Sequence, residues 1–160
     1  MSVRDLIGYL MGLVLFVILI PFIMWKLSGE IHPRMVQILI LCVLALGGIG
    51  LSIWTIVYMR LIGRGNPMDA FNHEVAPRTS QLMTSGPYAI CRNPMLLGVI
   101  IYYMGRLIYL WTWQATVIFV LYVIIMMVQV NREEKRLEQD FGEAYREYKQ
   151  RTKKLIPFVW

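Results

Sequence analysis

The sequence has few of the residues that hold metals or staple small domains. Only 2 cysteines and 2 histidines occur in 160 residues, and neither type forms the close pairs typical of a zinc site or a disulfide framework. Charged residues make up 16% of the chain, below the roughly 25% of an average soluble protein. No metal site is therefore expected, and Cys42 and Cys91 are expected to be free thiols.

The chain is rich in apolar residues. Hydrophobic residues make up 58% of the chain, and the mean hydropathy is +0.55, values that predict an integral membrane protein with a single domain, 1–160. The net charge is +6, but the basic residues flank apolar runs, where membrane topology and lipid headgroups explain them. Membrane lipids are therefore the expected partners, and nucleic acid is not.

Four apolar stretches predict an all-α fold of about four transmembrane helices in a bilayer core about 30 Å thick. The third stretch would rise only about 22 Å, so Arg106 is expected to reach toward an interface or to lie in a polar crevice. A tight hairpin is expected between the third and fourth stretches. The first stretch lacks a small-residue cleavage pattern and is expected to be a retained anchor. The predicted spans are residues 6–25, 35–59, 95–109 and 114–130.

Two polar segments remain, a long loop at 61–94 and a helical tail at 132–160. Lys and Arg are concentrated in the N-terminus, the loop and the tail, so both termini are expected to be cytoplasmic, at the inner membrane if the source is bacterial. An even number of spans then brings the loop and the tail to the same membrane face. We expect the tail to carry an apolar helical stripe, broken near Gly142, of Leu137, Phe141, Tyr145 and Tyr148.

The segment that leads into the third span is rich in proline and glycine. Pro94 predicts the first turn of a helix, where free backbone amides and the positive end of the helix dipole could hold an anion beside Arg92. The loop also contains His73 beside Glu74, which is either an acid/base pair or a solvated surface pair. The segment reads Gly86-Pro87-Tyr88-Ala89-Ile90-Cys91-Arg92-Asn93-Pro94-Met95-Leu96-Leu97-Gly98.

Glu133 and Glu134 close the fourth span on the face that carries Arg92 and Asn93. They form either an ordinary polar cap at the membrane surface or the cation-binding side of a pocket whose anion-binding side is Arg92 with the helix amides. Aromatic residues would lie between the two sides. Such a pocket suits a zwitterion with an additional positive centre.

These motifs resemble those of the isoprenylcysteine carboxyl methyltransferase family and its phospholipid methyltransferase relatives. Members of that family are integral membrane enzymes that bind S-adenosylmethionine between the motif loop, the following helices and the tail. They transfer its methyl group to a membrane-borne acceptor. The resemblance covers roughly residues 60–160 and rests on Gly86-Pro87-Tyr88, Arg92-Asn93-Pro94-Met95, Gly98, Glu133-Glu134, Leu137, Phe141-Gly142, Tyr145, Tyr148, Thr152 and Ile156-Pro157.

The resemblance implies a catalytic role for Arg92 and Glu134. Asn93 stands where eukaryotic members commonly have His, and Asn cannot act as an acid or base near neutral pH. The acceptor is therefore left open as a carboxylate, amine or thiol on a lipidic or hydrophobic small molecule. The cofactor-binding residues that the resemblance implies are Tyr88, Arg92, Asn93, Pro94, Met95, Gly98, Glu133, Glu134, Tyr145 and Tyr148.

Two alternative functions are compatible with the sequence. One is a non-catalytic membrane protein that holds anionic lipid or a partner through its basic tail. The other is a reductase that uses a nicotinamide nucleotide, because the family includes the cofactor-binding halves of sterol reductases.

Overall fold

The computed structural model of the chain describes residues 10–63 and 81–157. Every regular element within these ranges is a helix, and three helices are long and apolar enough to cross a membrane. The fourth apolar helix is shorter, at 17 residues. The predicted all-α class is confirmed. The four helices are α1 (Leu10–Leu27), α2 (Met35–Tyr58), α3 (Pro94–Leu110) and α4 (Trp113–Arg151).

Helix α4 does not end at the edge of the predicted span near residue 130. It continues through the glutamates and into the tail, because the charged residues that meet the headgroups are good helix formers and cause no break. The backbone leaves helical geometry at Gly142, where φ is +54°. In the first helix, Leu13–Leu19 is π-helical, and α-helical geometry resumes at Ile20 beside Pro21.

Helices α2 and α3 pack closely because small residues meet at their crossing. A side-chain carbon added at Gly48 would collide with the carbonyl of Gly98 and would lie 2.8 Å from the backbone nitrogen of Tyr102. The hydroxyl of Ser52 crosses the same interface and donates to the carbonyl of Met95 at 3.1 Å. Close backbone approach of this kind is a main source of helix association in lipid.

The two short turns of the bundle meet at one end, which we call the turn face. The hydroxyls of Ser28 and Thr112 lie 2.7 Å apart there, and Gln37 donates to the carbonyl of Ile108 at 2.9 Å. The predicted hairpin is made by Trp111 and Thr112, where Trp111 adopts the left-handed conformation that ends α3. The opposite end, which carries Arg92 and Glu134, is the site face.

Replacing Gly48 with alanine is expected to destabilise the bundle by about 1 to 3 kcal/mol, because the added carbon meets backbone atoms that cannot move aside. The neighbouring change Gly47→Ala is the control, since no atom lies within 4 Å of its added carbon. It should be neutral or slightly stabilising. Thermal denaturation of both variants in one detergent tests this, and equal midpoints would contradict the packing described above.

Candidate functional site

The centre of the site face is an ion pair between the loop before α3 and helix α4. Arg92 Nε lies 2.8 Å from Glu134 Oε1, and the two side chains are only 10% and 11% exposed. The second oxygen of Glu134 lies 3.2 Å from Lys154 Nζ. Buried charges are costly unless paired and hydrogen-bonded, so each oxygen of this carboxylate is compensated by a separate cation.

The tail turns back over the bundle because of Gly142. Its φ of +54° is readily adopted by glycine alone, and the chain then forms one more helical stretch as far as Arg151. At Thr152 the backbone becomes extended. The segment that follows runs beside the start of α3 rather than away from the membrane domain.

Arg92 and Asn93 hold this returning tail by its backbone. The backbone nitrogen of Arg92 donates to the Lys153 carbonyl at 2.8 Å, and the side-chain amide of Asn93 donates to the Lys154 carbonyl at 2.9 Å. Arg92 Nη1 donates to the carbonyls of Lys149, at 3.3 Å, and Thr152. Helix α3 begins at Pro94, as predicted, but part of the proposed anion-binding end is thus taken up by the tail.

Three tyrosines form the aromatic wall of the site. Tyr88, Tyr145 and Tyr148 are each less than 10% exposed, and the Tyr148 hydroxyl donates to the Tyr88 carbonyl at 2.7 Å. Burial raises the pKa of the Tyr88 phenol, and the nearby Glu133 charge adds to the increase. This phenol is therefore neutral across the physiological range and can serve only as an uncharged surface.

One polar atom in the wall has no hydrogen-bond partner among the described residues, although the Arg92 guanidinium lies near it. The Tyr145 hydroxyl is buried and makes no hydrogen bond to any residue that the structure describes. Such an atom is costly to bury and is common where a ligand completes a site. A cavity of about 60 Å³ lies in front of the wall. Its lining is Met59, Gln81, Leu82, Met83, Tyr88, Arg92, Asn93, Glu133, Glu134, Arg136, Leu137, Phe141, Tyr145 and Tyr148.

Cys91 does not contribute a nucleophile to the site. It is completely buried, and burial raises the pKa of its thiol. Its reactive thiolate form is therefore scarce near neutral pH. The predicted free-thiol state is seen for both cysteines, of which Cys42 is exposed.

Seven of the ten cofactor-binding residues expected from the sequence line this cavity, but Pro94, Met95 and Gly98 do not. Pro94 is buried in the first turn of α3. Met95 and Gly98 border a separate apolar cavity of about 360 Å³ between the helices, because they lie on the side of α3 that faces α2. His73 and Glu74 fall outside the described residues.

Sequence reasoning missed the role of Lys154 and Asn131. Lys154 Nζ contacts both the Glu134 carboxylate, at 3.2 Å, and the Asn131 side-chain oxygen, at 2.8 Å. In the sequence Lys154 is one of several basic tail residues, and no local periodicity links it to α4. Only the backward turn at Gly142 brings it to the site.

Comparison with known proteins gives one family. The profile of the family described as phospholipid methyltransferase matches residues 36–144. Three similar proteins are named protein-S-isoprenylcysteine O-methyltransferase, and the one from Arabidopsis thaliana carries the additional letter B in its name. In Schizosaccharomyces pombe the identity is 28% over 106 residues, 64% of this chain and 45% of that protein. The Mus musculus protein is 34% identical over 93 residues, which are 56% of this chain and 33% of that protein. The Arabidopsis thaliana protein is 32% identical over 94 residues, which are 56% of this chain and 48% of that protein.

The chain thus spans less than half the length of these relatives. No solved structure matched.

Replacing Arg92 with glutamine is expected to release the tail. Glu134 would lose its main partner, and the carbonyls of Lys149 and Thr152 would lose their donor. Breaking a buried pair costs about 3 to 5 kcal/mol. Trypsin should then cleave between Lys154 and the buried Leu155 at least about tenfold faster, since cleavage follows the population of the opened state.

The control is Arg146→Gln, which removes exposed ion pairs from the same tail and should leave the rate unchanged. Mass spectrometry of the cleavage products measures both rates. Equal cleavage of the two variants would show that Arg92 does not hold the tail.

Proposed function

Because the chain belongs to the phospholipid methyltransferase family, we propose that it is a methyltransferase that uses S-adenosylmethionine to modify a lipidic or membrane-partitioned acceptor. The observation that carries the proposal is the Arg92–Glu134 pair. This pair brings opposite charges to one cavity at the end of an apolar bundle, and three buried tyrosines line the same cavity.

The residues around the cavity match the chemistry of this cofactor. S-adenosylmethionine carries a carboxylate, an ammonium and a sulfonium. Glu133 and Glu134 supply carboxylates for the ammonium, and aromatic faces such as that of Tyr145 stabilise a sulfonium by cation–π attraction. Arg92 already uses Nε and Nη1 within the protein, so we assign contact with the cofactor carboxylate to Nη2. The Tyr145 hydroxyl would gain the hydrogen bond that it does not make to any described residue.

The cavity is too small for the whole cofactor in the observed arrangement. Its volume of about 60 Å³ compares with the roughly 300 to 1,000 Å³ of typical ligand pockets. Binding therefore requires movement of neighbouring chain. We propose that the tail after Thr152 moves, because backbone hydrogen bonds and the Lys154 pair hold it and can re-form after the ligand has entered.

The site favours an acceptor that needs no base. The bound cofactor would supply a methyl group whose bond to sulfur breaks as the bond to the acceptor forms. Both oxygens of Glu134 are bound by cations, which makes this carboxylate a poor proton acceptor. A carboxylate acceptor has no proton to lose and would give a methyl ester and a neutral thioether. The O-methyltransferase names of the relatives agree with an oxygen acceptor.

The role of the chain's own residues is then to position two reactants and exclude water, which accounts for large rate enhancements without covalent catalysis. We propose that the apolar cavity beside Met95 and Gly98, with its volume of about 360 Å³, takes the hydrocarbon part of the acceptor. This cavity borders Met95, two residues after Asn93 in the lining of the charged cavity. We also retain the cytoplasmic placement of both termini as a proposal.

Neither alternative function gains support from the site. Three basic residues of the tail are already paired, Arg146 and Lys149 with Glu138 and Lys154 with Glu134, which reduces the positive charge available to anionic lipid. The relatives are named methyltransferases rather than reductases.

The purified protein in lipid nanodiscs is expected to transfer labelled methyl groups from S-adenosylmethionine to a prenylated or acylated carboxylate. An amine-headed lipid of equal chain length should accept them at least about tenfold more slowly, because both oxygens of Glu134 are already bound by cations and this carboxylate is a poor base. Glu134→Gln should lower the carboxylate activity by about a hundredfold or more, since it removes a buried, paired charge from the cofactor site. Scintillation counting of extracted lipid measures each rate.

Glu143→Gln is the matched control, because it removes one carboxylate from an exposed position on the same tail. It should retain the parent's activity. If methyl transfer to the amine is as fast as transfer to the carboxylate, the assignment of a carboxylate acceptor is wrong, but the methyltransferase function still stands. Absence of both methyl transfer and cofactor binding in folded protein would refute the proposed function.

A further inference from the structure

Helix α3 carries one charged residue, Arg106, on the side of the bundle away from the proposed methyl-transfer site. Its Nη2 donates to the carbonyl of Pro21 at 2.8 Å. Its Nε is buried and makes no hydrogen bond to any residue in the described ranges. A carbonyl can accept a hydrogen bond but cannot neutralise a charge, so the guanidinium lacks a counter-ion at this contact.

Arg106 lines a cavity of about 660 Å³ between α1, α2 and α3 that is largely open at the surface, with a volume within the usual range for a bound ligand. The described residues that line it include no Asp or Glu, so the cavity contains a cation without an anion. Its other walls are apolar and aromatic, with Phe22, Trp25, Ile38, Leu41, Tyr102 and Tyr109 among them.

The surface around this cavity is exposed and apolar, as expected for a surface that faces lipid. Ile18, Phe22 and Trp25 line it and remain 56%, 52% and 47% exposed, which is the ordinary state of side chains that contact acyl chains. Trp25 and Tyr109 also belong to the residue types that mark the level of the headgroups. A ligand of this cavity would therefore come from the bilayer, with a charged end near the turn face and an apolar end along the helices.

We propose that this cavity binds an anionic phospholipid, with the headgroup phosphate on Arg106 and one acyl chain along the apolar wall. A phosphate can accept two hydrogen bonds from one guanidinium in the fork geometry that arginine favours, and it would satisfy the unbonded Nε. Bound phosphate would also supply the missing negative charge, and in an anionic lipid, unlike phosphatidylcholine, no headgroup cation offsets it. The proposal does not depend on the methyl-transfer function, which lies at the site face.

The test uses dioleoyl phosphatidylglycerol and dioleoyl phosphatidylcholine as probes with the full-length chain. Native mass spectrometry from mixed micelles should show that the parent retains phosphatidylglycerol in preference to phosphatidylcholine. Arg106→Gln should reduce the retained phosphatidylglycerol by about tenfold, as expected for loss of a charge-assisted bidentate contact. Arg106→Lys, which keeps the charge but loses the fork, should retain an intermediate amount.

Lys26→Gln is the control, since it removes one positive charge from an exposed position at the same end of the bundle. It should retain phosphatidylglycerol like the parent. If Lys26→Gln loses as much lipid as Arg106→Gln, binding reflects the general charge of the turn face and the proposal is wrong. Unchanged binding by Arg106→Gln would also overturn it.

If the Arg106 variants do not fold, the denaturation temperature of the parent protein tests whether the cavity binds anionic phospholipid. Phosphatidylglycerol should raise the denaturation temperature, whereas phosphatidylcholine and inorganic phosphate at equal concentration should not. Equal stabilisation by phosphatidylcholine would exclude recognition of negative charge. Equal stabilisation by inorganic phosphate would exclude the lipid as the source of the phosphate.

Discussion

The buried pair between Arg92 and Glu134 is the interaction on which the geometry of the site face depends. It joins the loop before α3 to the middle of α4, and the same guanidinium holds the carbonyls of the returning tail. Removing both partners is less costly than removing one, because a lone buried charge is the most unfavourable outcome. Loop, helix and tail are therefore coupled, and a ligand that alters this pair alters the position of all three.

A polar site can lie at the end of an apolar bundle because its charges are paired and because the packing of the helices and the tail encloses them. Glycines bring α2 and α3 together at Gly48 and Gly98, which fixes the start of α3 and with it Arg92. The tyrosines of the tail then cover the charges from the outer side. In the proposed reaction this arrangement lets a charged cofactor enter from water and an apolar acceptor enter from the lipid, so that the two meet at the membrane surface.

Much of the helical fold could be predicted from the sequence, because hydropathy, Pro94 and the Trp111 hairpin are local signals. The site was predictable in part. Its charged and aromatic members follow from their positions at the ends of spans and from the family motifs, yet the contact of Lys154 with Glu134 depends on a reversal at Gly142 that local patterns do not specify. The same motif predicts that Met95 and Gly98 bind the cofactor, and this stays a prediction. The structure places both on the side of α3 that faces α2, and that orientation depends on helix packing, which motif spacing does not specify.

The most direct test of the account is hydrogen exchange of the full chain with and without S-adenosylmethionine. If the cofactor binds beside the Arg92–Glu134 pair and the tail closes over it, exchange should slow at residues 88–93 and 145–155. The turn face, including residues 108–113, should be unaffected. Protection confined to the turn face, or unchanged exchange at saturating cofactor, would contradict the placement of the site.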